Sequence, residues 1–169
     1  MGKARQTPGL ALLFLLFFLP ACIQVMGQSG PGSEDFFIAP QAETLMYSPD
    51  SISTGGGFTI GYGSGIAMGL RMLFAVDPHS YGIVEMLFFL RLYLAGSWAN
   101  TGPFVQINGG PVLFTSETIR TVRKGIGTIS AGISAGWRIP LGKYWFLEPA
   151  IRSGYPYIAG AGVSGGLRL

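Results

Sequence analysis

The sequence is poor in the residues that most chemistry needs. It has one cysteine, Cys22, and one histidine, His79, in 169 residues. One histidine cannot build a zinc site alone, no CxxC pair is present, and a disulfide within the chain is excluded. No cofactor is expected. Charge is scarce as well: Asp, Glu, Lys and Arg make up 11%, against about 25% in a typical soluble domain. That argues against an ordinary cytosolic enzyme and against a disordered chain. Long apolar runs are also missing. Beyond the first 26 residues nothing approaches the roughly 18 uninterrupted apolar residues of a spanning helix. The longest candidate, Ile83 to Leu94, is broken by Glu85 and Arg91. What is plentiful is glycine, 27 residues, within a composition that is 49% hydrophobic. A chain that is apolar on average, rich in glycine and free of long apolar runs points to alternating strands.

The N-terminus reads as a secretory signal over residues 1–27. Lys3 and Arg5 form a basic start, Leu10 to Leu19 an almost pure Leu/Phe stretch, and Val25-Met26-Gly27 an acceptable cleavage site before Gln28. A short N-terminal membrane anchor is the alternative. Cys22 follows Leu19-Pro20-Ala21, which resembles a lipobox, so lipidation of Cys22 stands beside its removal with the signal. Losing Lys3 and Arg5 leaves nine basic residues against eight acidic ones. The basic pI is therefore no argument for nucleic acid. Residues 28–169 are the length of one domain.

The main signal is period two. Val84, Met86, Phe88, Leu90, Leu92 and Leu94 alternate with Ile83, Glu85, Leu87, Phe89, Arg91 and Tyr93. Both charges fall on one face. The same holds for Ile66 to Val76, for Thr128 to Ile139 and for Val163 to Leu169. Eight strands are expected: Phe36–Tyr47, Gly56–Gly63, Ile66–Val76, Tyr81–Leu94, Pro103–Phe114, Gly127–Ile139, Tyr144–Arg152 and Tyr157–Leu169. Turn signals separate them, among them Ser48-Pro49-Asp50, Gly63-Ser64-Gly65 and Pro140-Leu141-Gly142. Because the alternation runs unbroken across Gly63-Ser64-Gly65, one long strand is the alternative there. Pro40, Pro111 and Pro149 each remove a ladder donor and are expected at rims or bulges.

The fold class that follows is all-β: an eight-stranded antiparallel up-and-down transmembrane β-barrel behind a signal peptide. Glu43, Arg71, Glu85, Arg91, Arg138, Glu148, Arg152 and Arg168 all fall on the less apolar face of their strands. On a lipid face a midplane Arg costs about 2–4 kcal/mol. Inside a narrow barrel these eight side chains pair instead, with Leu73, Leu87 and Phe89 beside them. Trp98, Trp137 and Trp145 lie near turns on one side and form a candidate interfacial girdle. The competing all-β reading is a soluble lipocalin-like barrel with its apolar face inside. Its exterior would be mostly Gly, Ala, Ser, Leu and Phe, which aggregates.

Three segments repeat a pattern: Gly65 to Met72, Gly132 to Ile139 and Gly162 to Leu169 each carry a Gly two residues before an inward Arg. The missing side chain is expected to make room for the guanidinium. Other motifs carry less. Gly160 to Gly165 matches GxGxxG, but only four residues follow, so no helix receives a phosphate. His79-Ser80 near Asp77 and Glu85 is a weak hint of lipid-active catalysis, since triads are recognised by geometry rather than adjacency. No enzyme activity is expected. Arg120, Arg123 and Lys124 form a basic cluster in an outer loop, where a solvated loop is the plainer reading and an anionic surface ligand the functional one.

Gly136-Trp137-Arg138-Ile139-Pro140-Leu141-Gly142, then Trp145, Glu148-Pro149, Arg152-Ser153-Gly154-Tyr155-Pro156 and the glycine-rich last strand resemble the small outer-membrane β-barrel proteins of spirochaetes, especially the treponemal kind. The resemblance is strongest over the last third of the chain. It implies location in a bacterial outer membrane among its lipids, insertion by the barrel-assembly machinery, and a shape like the OmpX, OmpW and OmpA barrel domains. Family members often end in an aromatic residue, whereas this chain ends in Leu169. The functional expectation is a structural or surface-exposed membrane protein with a charged, largely filled lumen. A narrow channel for small or hydrophobic solutes ranks second.

Overall fold

The computed structural model describes residues 36–48, 51–77, 81–94, 101–116 and 125–169. They form eight strands and no helix: β1 (Phe36–Ser48), β2 (Ser51–Ser64), β3 (Ile66–Val76), β4 (Tyr81–Tyr93), β5 (Gly102–Ser116), β6 (Gly125–Leu141), β7 (Trp145–Tyr155) and β8 (Ala159–Arg168). Each strand pairs antiparallel with the next, and β8 pairs with β1 to close the barrel. Leu169 donates its N–H to the Phe36 carbonyl at the seam, 2.8 Å away. Both ends of the described barrel therefore lie at one rim, called here the terminal rim. The proposed signal segment and Cys22 lie outside the described residues.

Period two decides which side chains face in. Residues directly opposed in an antiparallel ladder share a face. The register sets Arg71 opposite Leu87, Glu85 opposite Leu73, Arg91 opposite Gln106, and Arg152 opposite Ser134. All lie on the inner face. The outer face is a wall of Ile, Leu, Val, Phe and Met, with Phe74, Ile107, Ile133 and Ile151 at least half exposed. Among the described residues no strand Arg or Glu belongs to that wall. This arrangement is the reverse of a lipocalin's, whose apolar face lines the interior, and the soluble-barrel alternative fails on it.

Gly63-Ser64-Gly65 is a turn, not the middle of a long strand. Ser64 pairs with Ile66, and Gly63 and Gly65 hold φ of 127° and 71°. Those left-handed values reverse the chain within so few residues, and they need glycine. Several strand ends move outward from the sequence-based bounds. β2 starts at Ser51 rather than Gly56, because Ile52 and Ser53 pair with Met46 and Leu45 and continue the alternation through a polar-looking stretch. β6 runs from Gly125 to Leu141, longer at both ends than expected. β8 starts at Ala159, two residues later than expected.

The prolines require a correction. Pro40, Pro111 and Pro149 lie inside strands, not at rims or bulges. Each interrupts one ladder by two pairs, opposite Gly165, Met86 and Trp137 respectively, and the register is unchanged on the far side. All three are exposed on the outer face. A single missing donor is tolerated without a bulge because the flanking pairs and the other neighbouring strand keep the chain extended.

Gly63→Ala is expected to weaken the barrel more than Gly142→Ala. Both positions have left-handed φ, 127° and 89°, which costs an L residue about 1–2 kcal/mol. A Cβ at 142 meets nothing, whereas one at 63 runs into the Ile66 carbonyl and the Ala67 backbone. Urea unfolding of the two variants in detergent micelles gives the order.

Candidate functional site in the barrel lumen

Inward side chains from all eight strands meet in three layers. Nearest the terminal rim is an aromatic layer built from Phe37, Phe89, Tyr93, Phe104 and Phe146, with Ala39 and Ala67. Phe37 meets Phe146 edge to face at 5.9 Å between centroids, and Tyr93 meets Phe104 at 5.9 Å. Two guanidiniums lie in this layer. Arg138 is over Phe146 at 3.9 Å and Phe37 at 4.1 Å, and Arg91 is over Phe104 at 4.0 Å. Ring faces carry negative partial charge, so each ring stabilises the cation laid on it.

One carboxylate serves both cations. Glu148 Oε1 accepts from Arg91 Nη1 at 2.6 Å and from Arg138 Nε. Ser164 Oγ donates to Glu148 Oε2 at 3.4 Å. Arg91 also donates from Nε to Gln106 Oε1 at 2.8 Å and from Nη1 to the Tyr93 hydroxyl at 3.1 Å. Gln106 passes the chain on to Asn108, and Asn108 Nδ2 donates to Ser134 Oγ at 2.7 Å. A buried charge without such partners is costly.

The second charged group occupies the middle of the lumen. Glu43 pairs with Arg71 and with Arg152. Arg152 reaches Glu85 as well, Nη2 to Oε2 at 2.7 Å. Tyr47 donates its hydroxyl to Glu85 Oε1 at 3.4 Å. Toward the far rim lies an apolar layer. Tyr47 stands edge to face against Phe114 and Tyr157, at 5.6 and 6.4 Å. Leu45, Leu73, Ala75, Ile83 and Val112 pack around them. The Arg152 guanidinium lies 4.1 Å over the Tyr157 ring.

The sequence named eight charged positions for the lumen. The structure joins Glu148 with Arg91 and Arg138, and Glu43 and Glu85 with Arg71 and Arg152. Arg168 lies at the terminal rim, opposite Phe37 and only partly buried. Leu73, Leu87 and Phe89 are buried inward. Trp137 and Trp145 are outward and more than half exposed near the Gly142 turn, with Tyr144 beside them. Trp98, the basic cluster Arg120, Arg123 and Lys124, and the His79-Ser80 pair lie outside the described residues. Asp77, at the far rim, is buried and accepts from Ser51 Oγ.

Sequence reasoning missed the aromatic layer, although its signal was present. Phe104, Gln106 and Asn108 alternate with Val105 and Ile107, so a ring and two amides share the inner face. The purpose assigned to the repeated glycines also needs correcting. The space at Gly136 and Gly166 is taken by rings, not by the guanidiniums. Phe104 is paired directly across from Gly136, and Phe146 from Gly166, as Phe37 is from Gly61. Phe104 Cζ stands 2.6 Å from where a Cβ at 136 would be. A ring folded over a cross-strand glycine shields its backbone, and here its other face holds a cation.

Glu148→Ala removes one carboxylate from two buried guanidiniums, and the expected loss of stability is about 3–5 kcal/mol. Gly136→Ala is expected to lower stability by pushing Phe104 off Arg91. Combining it with Phe104→Leu is expected to cost somewhat less than the two changes summed, because the clash with the ring goes while those with the Pro149 carbonyl and the Ala150 Cβ stay. Urea unfolding of singles and double measures the coupling.

No protein-family model matches the sequence, and no curated protein does. Solved structures share the fold, two of them from bacterial proteins. Neisserial surface protein A, NspA, superposes with a TM-score of 0.61 at 8% identity, over 83% of this chain and 99% of its own. The N-terminal β-barrel domain of Pseudomonas aeruginosa OprF gives 0.55 at 13% identity, over 81% and 100%. At these identities the likeness is one of fold: an eight-stranded closed antiparallel barrel of the outer-membrane type.

Proposed function

We propose that this chain is an integral protein of a bacterial outer membrane with a lumen closed to solutes, and that its role is structural or surface-exposed rather than catalytic. The observation that carries this reading is the division of chemistry across the barrel wall. The strand charges are inside and paired, and an outer belt of Ile, Leu, Phe and Val is left for lipid. In a bilayer every backbone polar group must find a partner within the protein, and a closed barrel supplies one. Trp137, Trp145 and Tyr144 mark the membrane–water interface at the terminal rim. With both ends on that rim, the far rim, where β1 passes to β2 and β7 to β8, faces outward from the cell. A signal segment and the barrel-assembly machinery deliver the chain there. The resemblance of its last third to spirochaetal barrels makes that kind of cell surface the first place to look for it.

A channel is disfavoured by the two ring-lined layers on either side of the middle charged group. Eight strands leave an interior just wide enough for side chains to fill, and aromatic rings stand toward both rims.

Protein expressed in a Gram-negative host and extracted in mild detergent is expected to migrate differently on a gel before and after boiling. In planar bilayers it is expected to give no unitary conductance. A detergent-free soluble monomer with one gel position would refute the membrane reading, and steady single-channel steps would refute the closed lumen.

A further inference from the structure

Between the aromatic layer and the middle charges the lumen holds a cavity of about 40 Å³. Gln41, Glu43, Arg71, Ser134, Glu148 and Arg152 are among its polar lining. The lining is unbalanced. Gln41 Nε2, Arg71 Nε and Arg152 Nη1 are buried donors without a hydrogen-bond partner. The Arg152 side chain is only 2% exposed. Thr59 Oγ donates to Gln41 Oε1 at 3.0 Å, which holds the amide with its nitrogen free to donate elsewhere. Ser134 Oγ already accepts from Asn108, so its own hydrogen is available. The two carboxylates on the wall are each engaged by two guanidiniums.

The charges are unbalanced in the same sense. In the two groups around the cavity four guanidiniums meet three carboxylates, one positive charge in excess. A buried cation without a counter-charge is heavily penalised. Water would satisfy the spare donors but not the charge. A water needs roughly 10–15 Å³ of such space, so the cavity of about 40 Å³ takes one monatomic anion with about two waters beside it.

We propose that this cavity is a binding site for a monovalent monatomic anion of chloride's size, held by Arg152, Arg71 and Gln41. The anion neutralises the lumen and locks the two charged groups together. The site rests on the lumen being closed, so the test reads both.

Crystals of the detergent-extracted protein grown in sodium bromide, with data collected at the bromine absorption edge, are expected to show an anomalous peak within hydrogen-bond distance of Arg152 Nη1 and Gln41 Nε2. In solution the unfolding temperature is expected to be higher in bromide or chloride than in gluconate at equal ionic strength. That difference is expected to vanish in Arg71→Met, whose lumen groups are neutral, and to shrink in Gln41→Leu, which keeps every ion pair. No anomalous peak and equal unfolding temperatures in the three salts would overturn the site while leaving a non-conducting barrel intact. An anion-selective conductance would overturn both, since the cavity would then be part of a passage.

Discussion

A guanidinium placed on a strand of this barrel has two places to go. Outside it faces lipid, and inside it faces a space about as wide as the side chains that line it. The structure depends on the second choice being made tolerable. Glu148 is shared by Arg91 and Arg138, and Arg152 is shared by Glu43 and Glu85. These bonds cross between strands far apart in sequence, such as β4 to β7, and tie opposite walls together. Once they are in place, the face that each strand turns outward is settled, because a one-residue slip would send every inward charge into the bilayer.

The rings and the glycines belong to the same constraint. A narrow lumen cannot hold four guanidiniums and eight rings unless other inward positions are bare. β2 contributes Gly55, Gly57, Gly61 and Gly63 to the inner face, and β8 contributes Gly160, Gly162 and Gly166. Phe37, Phe104 and Phe146 lie across glycines of neighbouring strands and present a face to Arg138 or Arg91. Glycine thus acts here mainly by giving up volume. Only at the turns, as at Gly63 and Gly65, does its conformational freedom matter.

Backbone hydrogen bonding sets the second limit. Closure of β8 on β1 removes the sheet edges, which is what a strand in lipid requires. The prolines at 40, 111 and 149 show how much local loss is tolerated. Each interrupts its ladder by two pairs, and the register resumes unchanged.

Alternation alone was enough to read the class of fold, the number of strands and the inward or outward sense of nearly every side chain, because period two is a local property of extended chain. Glu43, Glu85 and Glu148 could be assigned to the lumen from sequence for that reason. Which arginine each would meet could not, since Arg91 and Glu148 are 57 residues apart and come together only through the stagger of a closed barrel. The same holds for Phe104 over Gly136 and for the donor-rich cavity between Arg71 and Arg152. Strand ends at Ser51 and Gly125 were likewise hidden, because pairing with an already formed neighbour extends a strand through residues with little β preference of their own. The sequence by itself determined a sheet with one greasy and one charged face. Only tertiary closure decided which charges pair, which rings cover which glycines, and where a pocket is left, because those depend on register around the whole ring.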